Sequence, residues 1–253
     1  MTLAILSALP EEQQGLAALL QSPSTHRHAG RDVVTGHLHG HPVVLALTGI
    51  GKVAAATTTT ALIERFGVQR VLFTGVAGGI GAGVQVGDVV VAQHFVQHDM
   101  DTRPLFPQWQ VPGYAQPLFA CDDGMGRGLL AAAQDCVQAA VHWQAPLLAG
   151  TTPRAHAGLI GSGDQFIVSA HTSTQLRDSL LAAGHALLAV EMEGAAIAQV
   201  CADYGLPLAA VRTISDRADD SAHVDFPAFI AQVASRYAQH IVLHWLQHTP
   251  PHA

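Results

Sequence analysis

The sequence has 253 residues, of which 49% are hydrophobic and only 12% are charged. The charged fraction is about half of the usual ~25%, so the chain can bury a large core and is not intrinsically disordered. A formal net charge of −7 with a single lysine, Lys52, argues against a nucleic-acid-binding or anionic-membrane-binding surface.

The first residues and the cysteines indicate the cellular compartment. Residues 1–9 contain no basic side chain and lead directly into Pro10-Glu11-Glu12, which predicts a buried strand and not a secretory signal. No stretch approaches the ~18 uninterrupted apolar residues that a membrane helix needs. Three cysteines without CxxC spacing are typical of reduced thiols. We therefore expect a cytoplasmic protein that does not contact membranes.

Short runs rich in Val, Ile and Leu alternate with helical patterns along the chain. The predicted strands are residues 2–8, 32–39, 42–48, 70–74, 87–93, 157–161, 186–190 and 208–213. The predicted helices are residues 11–20, 52–66, 123–141, 172–183, 193–203 and 226–246. Several strands are apolar at successive positions, as expected when helices cover both faces. The order predicts a single α/β domain over residues 1–253, a three-layer αβα fold around a mixed, largely parallel twisted sheet.

Residues 99–118 form a long stretch without a helix or strand pattern. The stretch contains four prolines, with Leu105, Phe106, Trp109 and Tyr114 between them. Such long loops are uncommon in compact domains unless they serve a function. Two interpretations stay open: the loop folds onto its own subunit, or its apolar side chains meet a neighbouring chain or a ligand.

Three glycine-containing motifs follow predicted strands. Gly49-Ile50-Gly51 opens a GxGxxA pattern before a helix, but the next strand ends without the carboxylate that dinucleotide binding requires. The pattern instead predicts a helix N-terminus that faces an anion, a ribose or water. The glycines of residues 75–83 allow close backbone approach to a ligand. Ser162 lacks the first glycine of the GxSxG motif, which argues against a serine hydrolase.

The histidines do not form a recognisable metal motif. His37, His39 and His41 alternate near Gly40, which is typical of a hairpin edge, and no cysteine or carboxylate completes a zinc set. His94 lies four residues before His98, with Asp99 and Asp101 following. Exposed or core-capping histidines are the favoured interpretation, and we expect no metal ion and no cofactor.

Carboxylates follow three predicted strands in this charge-poor chain. Glu12 comes after the first strand, Glu191 and Glu193 come after strand 186–190, and Asp216 comes after strand 208–213. Ligands of α/β sheets bind outside the carboxyl ends of the strands. The sequence therefore predicts an acidic pocket at this edge, suited to acid–base catalysis and hydroxyl binding as in glycoside hydrolysis.

Eight short motifs carry a resemblance that runs from residue 3 to about residue 245. In chain order they are Leu9-Pro10-Glu11-Glu12, Gly49-Ile50-Gly51-Lys52-Val53-Ala54-Ala55, Thr74-Gly75-Val76-Ala77-Gly78-Gly79, Gly87-Asp88-Val89-Val90-Val91, His98-Asp99-Met100-Asp101, Ser162-Gly163-Asp164-Gln165-Phe166-Ile167, Ala189-Val190-Glu191-Met192-Glu193 and Ile214-Ser215-Asp216. Together they resemble the 5′-methylthioadenosine/S-adenosylhomocysteine nucleosidases of the purine nucleoside phosphorylase superfamily. The resemblance implies hydrolysis of the N-glycosidic bond of methylthioadenosine, adenosylhomocysteine and 5′-deoxyadenosine, a step of methionine salvage.

The resemblance also implies catalytic roles for individual residues. Asp216 would be the general acid at N7 of the leaving adenine, with Ser215 steadying it. Glu12 would hold and deprotonate the attacking water. Glu193 would accept hydrogen bonds from the ribose hydroxyls, and Arg212 would orient a carboxylate or the water.

The implied substrate-binding residues surround the sugar and the base. Met192 would pack under the sugar and Glu191 would support the site. Phe166 would stack on adenine while the backbone of Ile167 reads the edge of the base. The remaining expected binding residues are Val76, Ala77, Gly78 and Ile50.

Alternatives to this nucleosidase stay open. A purine nucleoside phosphorylase normally holds phosphate with several arginines, whereas this chain offers only Lys52 and Arg70 near its glycine loops. A futalosine hydrolase is a second alternative, because residues 102–107 differ from the best-known bacterial members. A nucleoside-binding module that lacks catalysis is the third. By the resemblance, the partner is a small purine nucleoside, and the chain forms a homodimer with the 99–118 loop near the partner's site.

Overall fold

The computed structural model describes residues 1–143, 148 and 152–250, with only the backbone for 223–225. Within these ranges the strands are β1 (Leu3–Ser7), β2 (Gln21–His28), β3 (Arg31–Leu38), β4 (His41–Leu47), β5 (Arg70–Gly79), β6 (Val89–Gln97), β7 (Leu118–Ala120), β8 (Ala155–Ser162), β9 (Leu187–Glu191) and β10 (Leu208–Asp216). The α-helices are α1 (Pro10–Ala17), α2 (Lys52–Phe66), α3 (Asp123–Ala140), α4 (Ala170–Ala182), α5 (Gly194–Tyr204), α6 (Ala222–Phe229) and α7 (Ser235–Gln247).

All of these strands belong to one mixed sheet, which confirms the predicted sheet type. From β5 the sheet continues through β1, β4 and β3 to β2 at its edge. On the other side, β5 pairs with both β9 and β10, and the remaining pairings are β9 with β8, β8 with β6, and β6 with β10. The strands β5, β9, β8, β6 and β10 therefore close into a ring.

Side chains of the sheet alternate between two helical layers, as the three-layer prediction requires. In β1, Leu3 and Ile5 belong to the core that includes buried residues of α1, α3 and α7. Ala4 and Leu6 belong to the opposite core, which includes residues of α2 and α5. Every residue of β1 is buried, because a strand covered on both faces has no solvent side.

The carboxyl ends of β1, β5, β9 and β10 meet at one place. Strands β1 and β10 both run parallel to β5. However, β9 runs antiparallel to β5 and overlaps only its end, where Val190 pairs with Gly78. Because the overlap is confined to the two strand ends, Glu191 reaches the same edge of the sheet as Asp216.

The structure differs from the predicted elements in three places, and two predicted strands end later than expected, β5 at Gly79 instead of residue 74 and β6 at Gln97 instead of residue 93. Strand β2 was not predicted, since its eight residues are mostly polar and exposed. The short β7 was also missed. The helix predicted over 226–246 is divided into α6, a π-helical turn at Ile230–Ala234, and α7. Within the described ranges, no helix is long and apolar enough to cross a membrane.

The loop predicted at 99–118 is irregular from the end of β6 to the start of β7. Trp109 and Val111 are buried in the cores of their own subunit. By contrast, Leu105 is 81% exposed and Phe106 is 38% exposed. Trp109 and Val111 therefore fold onto their own subunit, while the exposed Leu105 and Phe106 leave contact with a neighbouring chain or a ligand as a prediction.

Candidate active site

A cavity of about 350 Å³ opens where β1, β5, β9 and β10 end. Its lining residues are Ala8, Leu9, Glu12, Ile50, Val76, Ala77, Gly78, Phe166, Val190, Glu191, Met192, Glu193, Ser215, Asp216 and Phe226. A recess of about 20 Å³, which shares several of these residues, is also lined by Gln165, Ile167 and Ala218. The cavity is mostly apolar, with polar groups at a few defined positions, as is usual for a small-molecule site.

Glu12 lies in the first turn of α1 and is 2% exposed. Its Oε2 accepts hydrogen bonds from the backbone N–H groups of Ala8 (2.8 Å) and Leu9 (2.9 Å), and its Oε1 accepts one from Val76 (2.9 Å). Burial raises the pKa of Glu12, although the charge of Arg212 and the three backbone donors oppose the shift. The result is a fixed carboxylate with an increased affinity for a proton.

Glu191 and Arg212 form a buried ion pair behind the cavity. Arg212 Nη2 lies 2.5 Å from Glu191 Oε2 and 3.5 Å from Glu193 Oε2. The guanidinium carbon lies 3.5 Å from the centre of the Phe73 ring. Glu191 also accepts hydrogen bonds from the hydroxyl of Ser162 and from Gly194 N (2.9 Å). One cation therefore balances carboxylates that would otherwise repel each other.

Glu193 comes directly before α5 and faces the N-terminus of α2. Its Oε1 accepts a hydrogen bond from Gly51 N at 2.9 Å. Burial and the neighbouring charge of Glu191 raise the pKa of Glu193 to about 8, against the opposing effect of Arg212. The group that the GxGxxA helix terminus faces is therefore a carboxyl group of the protein itself.

Asp216 ends β10 and is 1% exposed. Its Oδ2 accepts a hydrogen bond from Ser215 Oγ at 2.8 Å, and its Oδ1 accepts one from Ala218 N at 2.8 Å. A Cβ on Gly78 would lie 2.9 Å from Asp216 Oδ1, so a glycine is needed for this close approach. Both carboxylate oxygens are held in fixed positions at the cavity wall.

Aromatic and aliphatic side chains form the outer wall of the cavity. Phe166 is 46% exposed and contacts Phe226 edge-to-face, with ring centroids 5.4 Å apart. Ile50 is also exposed, and Met192 lies on the wall between Glu191 and Glu193. These residues provide a surface for a flat, apolar ring next to the polar groups.

Comparisons with known proteins agree with this geometry. The Phosphorylase superfamily model matches residues 2–247. The chain belongs to this superfamily. It is 36% identical to the 5′-methylthioadenosine/S-adenosylhomocysteine nucleosidase of Bacillus thuringiensis (strain Al Hakam), across 96% of this chain and 97% of the relative.

Solved structures of superfamily members have the same fold. The nucleosidase of Neisseria meningitidis in complex with methylthio-immucillin-A has a TM-score of 0.85 and 31% identity, covering 98% of this chain and 99% of that one. The futalosine hydrolase of Helicobacter pylori has a TM-score of 0.81 and 30% identity, with coverages of 96% and 97%.

Most of the residues that the sequence predicted for this superfamily site line the cavity together. Ile167 lines the smaller recess, and Arg212 lies behind the carboxylates. Arg70 was expected near the glycine loops, but it lies at the opposite end of β5, where its guanidinium is 5.9 Å from the Trp245 ring. Phe226 was not predicted, because residue 226 read only as the start of an amphipathic helix.

Neither Ser162 nor any histidine whose side chain the structure describes lines the cavity. The Ser162 hydroxyl donates to Glu191 and accepts a hydrogen bond from Ala195 N (2.7 Å), so it supports Glu191 and is not a free nucleophile. Among the residues that the structure describes, no cluster of three or more His, Cys, Asp or Glu side chains could hold a metal ion.

Proposed function

We propose that this chain hydrolyses the N-glycosidic bond of 5′-methylthioadenosine and S-adenosylhomocysteine, and also of 5′-deoxyadenosine. The products are adenine and the corresponding 5′-substituted ribose. The main support is that Glu12, Glu193 and Asp216, which come from separate parts of the chain, line one cavity of nucleoside size. The 36% identity to a protein named as this nucleosidase supports the same activity.

Asp216 acts on the leaving group. Adenine leaves poorly as an anion, so a proton delivered to N7 lowers the barrier to breaking the C1′–N9 bond. Ser215 and Ala218 N–H hold the carboxyl at the wall next to the Phe166 and Ile167 segment. The aromatic wall of Phe166 stacks on adenine, and the Ile167 backbone reads its edge. The electron pair of the broken bond stays on adenine, which departs neutral.

Glu12 acts on the nucleophile. Water attacks C1′ as the sugar develops positive charge, and Glu12 accepts the proton that this water loses. The three backbone donors fix the carboxylate: two of them occupy Oε2, while Oε1 accepts only one hydrogen bond and keeps a second lone pair for the water. Arg212 Nη1, which has no hydrogen-bond partner among the described residues, is close to Gly75, as is Glu12 Oε1. We assign this side of Gly75 to the attacking water.

Glu193 acts on the ribose. An ionised Glu193 accepts hydrogen bonds from the ribose hydroxyls and stabilises the oxocarbenium-like cation more than it stabilises the neutral substrate. Glu191 holds Arg212 in place, and Met192 packs under the sugar. Ile50, Val76, Ala77 and Gly78 complete the walls around the nucleoside.

The cavity favours hydrolysis over phosphorolysis. Phosphate is a dianion that needs several cations, whereas Glu12 places a negative charge on this wall and Arg212 is already paired with Glu191. The test is adenine release from methylthioadenosine with and without phosphate. We expect equal rates in both buffers; a rate that requires phosphate would assign the chain to the phosphorylases.

Futalosine is the second candidate substrate, since a neighbour in fold is named as a futalosine hydrolase. Both candidates share the ribosyl-purine bond and differ in the 5′ group and the base. A product assay across methylthioadenosine, adenosylhomocysteine, 5′-deoxyadenosine, inosine and futalosine ranks them. We expect the adenine nucleosides to be cleaved fastest.

The chain is proposed to act as a cytoplasmic homodimer in methionine salvage. Exposed apolar side chains at Leu105, Phe106, Ile50 and Val53 would be covered by a second copy near the cavity. The three cysteines are free thiols, as expected in a reducing compartment. Light scattering should give twice the chain mass of 26.5 kDa, and a monomer mass would contradict the dimer.

A further inference from the structure

Three charged side chains meet next to the cavity without lining it. The ammonium of Lys52 pairs with Asp99 Oδ1 and lies 3.7 Å from Asp164 Oδ2. Asp99 Oδ2 in turn accepts a hydrogen bond from Asp164 N at 2.9 Å. The lysine side chain is only 15% exposed, so this group is partly shielded from water. Each residue comes from a different loop or element terminus.

The same group of side chains also caps the N-terminus of α2. The residue before that helix is Gly51, which has no side chain to cap the first turn. Asp164 Oδ1 accepts a hydrogen bond from Lys52 N at 2.8 Å, and Glu193 Oε1 accepts one from Gly51 N. Carboxylates are favoured at this positive end of a helix. A Cβ on Gly51 would lie 3.2 Å from Asp164 Oδ1, so the glycine permits the approach.

Two neighbouring segments that bind the substrate are thereby tied together. Residues 49–51 carry Ile50 of the cavity wall and the N–H that holds Glu193. Residues 164–167 carry Phe166 and Ile167, on the base side. Asp164 begins the second segment, and its carboxylate accepts a hydrogen bond from the backbone N–H of Lys52, the residue that follows the first segment. Lys52, Asp99 and Asp164 therefore connect the ribose side of the cavity to the base side.

We propose that Lys52, Asp99 and Asp164 form a clamp that positions the ribose-binding and base-binding segments for the substrate. They are positioning residues, since they act through Gly51, Glu193 and Phe166. The proposal rests on the proposed nucleosidase function. Without the ammonium of Lys52, the two aspartates face each other as like charges, and the segments separate for part of the time. Substrate then binds only the fraction of molecules that has both segments in place.

The test is steady-state adenine release from methylthioadenosine by Lys52→Met and Asp164→Asn. We expect KM to rise about tenfold in each variant while kcat changes by less than about threefold, because saturating substrate restores the ordered state. Lys52→Arg keeps the positive charge and should stay within about threefold of the wild-type KM. Asp32→Asn is the matched control, since Asp32 pairs with Arg27 on the exposed β2–β3 hairpin; its KM should be unchanged.

A merely structural role would give a different result. Loss of folded protein lowers the apparent kcat in proportion to the protein lost and leaves KM unchanged, and this pattern would overturn the clamp. A KM within about twofold of wild type in both variants would overturn it as well. Hydrogen exchange of the amides of residues 49–52 and 162–167 is a second measurement. Faster exchange is expected in Lys52→Met and not in Asp32→Asn, and unchanged exchange would also overturn the clamp. A wild-type protein that releases no adenine would overturn the proposed function alone, since the exchange measurement needs no substrate.

Discussion

Arg212 and Glu191 form an ion pair of 2.5 Å in which both side chains are closed to solvent. Removing one partner of a buried pair leaves an uncompensated charge, which costs more than the pair itself contributes. In this protein the loss of Arg212 would cost more stability, because its guanidinium also lies 3.5 Å from Glu193 Oε2. The pair therefore links the stability of the fold to the arrangement of the cavity.

We expect Arg212→Met to lower the free energy of unfolding by about 3–5 kcal/mol. Urea unfolding at neutral pH measures this loss. Arg27→Met is the control, because the Arg27–Asp32 pair is largely exposed and its loss should cost no more than ~1 kcal/mol. If both variants lost the same small amount of unfolding free energy, the buried pair would not contribute to stability as proposed.

Gly75→Ala tests the space between Arg212 and Glu12. A Cβ at this position would lie 2.1 Å from Arg212 Nη1 and 2.5 Å from Glu12 Oε1, so both groups must move. Since displacements of about 1 Å can reduce catalysis ~100-fold, we expect a loss of that order in kcat. Gly126→Ala in α3 meets no atom within 4 Å and should keep full activity. Activity within a few-fold of wild type for Gly75→Ala would disprove this placement of the water.

Asp216→Asn should lose at least ~100-fold in kcat, because an amide cannot donate the proton that general acid catalysis requires. The amide oxygen can still accept the hydrogen bond from Ala218 N, so substrate binding should persist. Single-turnover rates and equilibrium binding of methylthioadenosine separate the two effects. Near-wild-type turnover would remove Asp216 from the mechanism.

Glu193→Gln should change the pH dependence of stability. In the folded chain the pKa of Glu193 is about 8, whereas the unfolded value is near 4.5. Between these values the folded state holds more protons than the unfolded state, so this group makes the wild type less stable as pH rises. The neighbouring Glu191, Arg212 and Glu12 remain in the variant. Its stability relative to wild type should therefore increase from pH 5 to 8, by at most ~1.4 kcal/mol per pH unit.

Unfolding titrations at several pH values measure this difference. The sign follows from burial and the charge of Glu191, both of which favour the neutral form of Glu193. A difference between variant and wild type that does not depend on pH would show that Glu193 is ionised in both states. A difference that shrinks with rising pH would reverse the assigned direction.

The apolar pattern of the sequence predicted the layered sheet well, for a reason visible in β1. Leu3, Ala4, Ile5 and Leu6 are all buried because helices cover both faces, and uninterrupted apolar runs are specific for that environment. Strand β2 has no such pattern. Its polar residues are held by pairing with β3, and a contact made by the backbone leaves no signature in side-chain types.

The carboxylates of the cavity were predictable because they follow strands, and strand ends share an edge of the sheet. The contact of Phe226 with Phe166 was not, since the two residues are far apart in sequence and α6 reads as an ordinary amphipathic helix. The π-helical turn at 230–234 was likewise hidden, because apolar spacings of three and four continue through it. Neither a long-range contact nor a local change of helical pitch can be predicted from the apolar spacing of the sequence.

The closed ring of β5, β9, β8, β6 and β10 limits how this site can adapt. An open sheet can spread apart at one side to admit a bulkier ligand, but a closed ring would have to break backbone pairing to widen. Asp216 and Glu191 end two strands of that ring, so the sheet fixes the spacing between the proposed proton donor and the carboxylate that holds Arg212. Diversification of this scaffold toward other nucleosides would therefore proceed through loop residues such as 102–107 and 164–167, with the reacting centre kept constant.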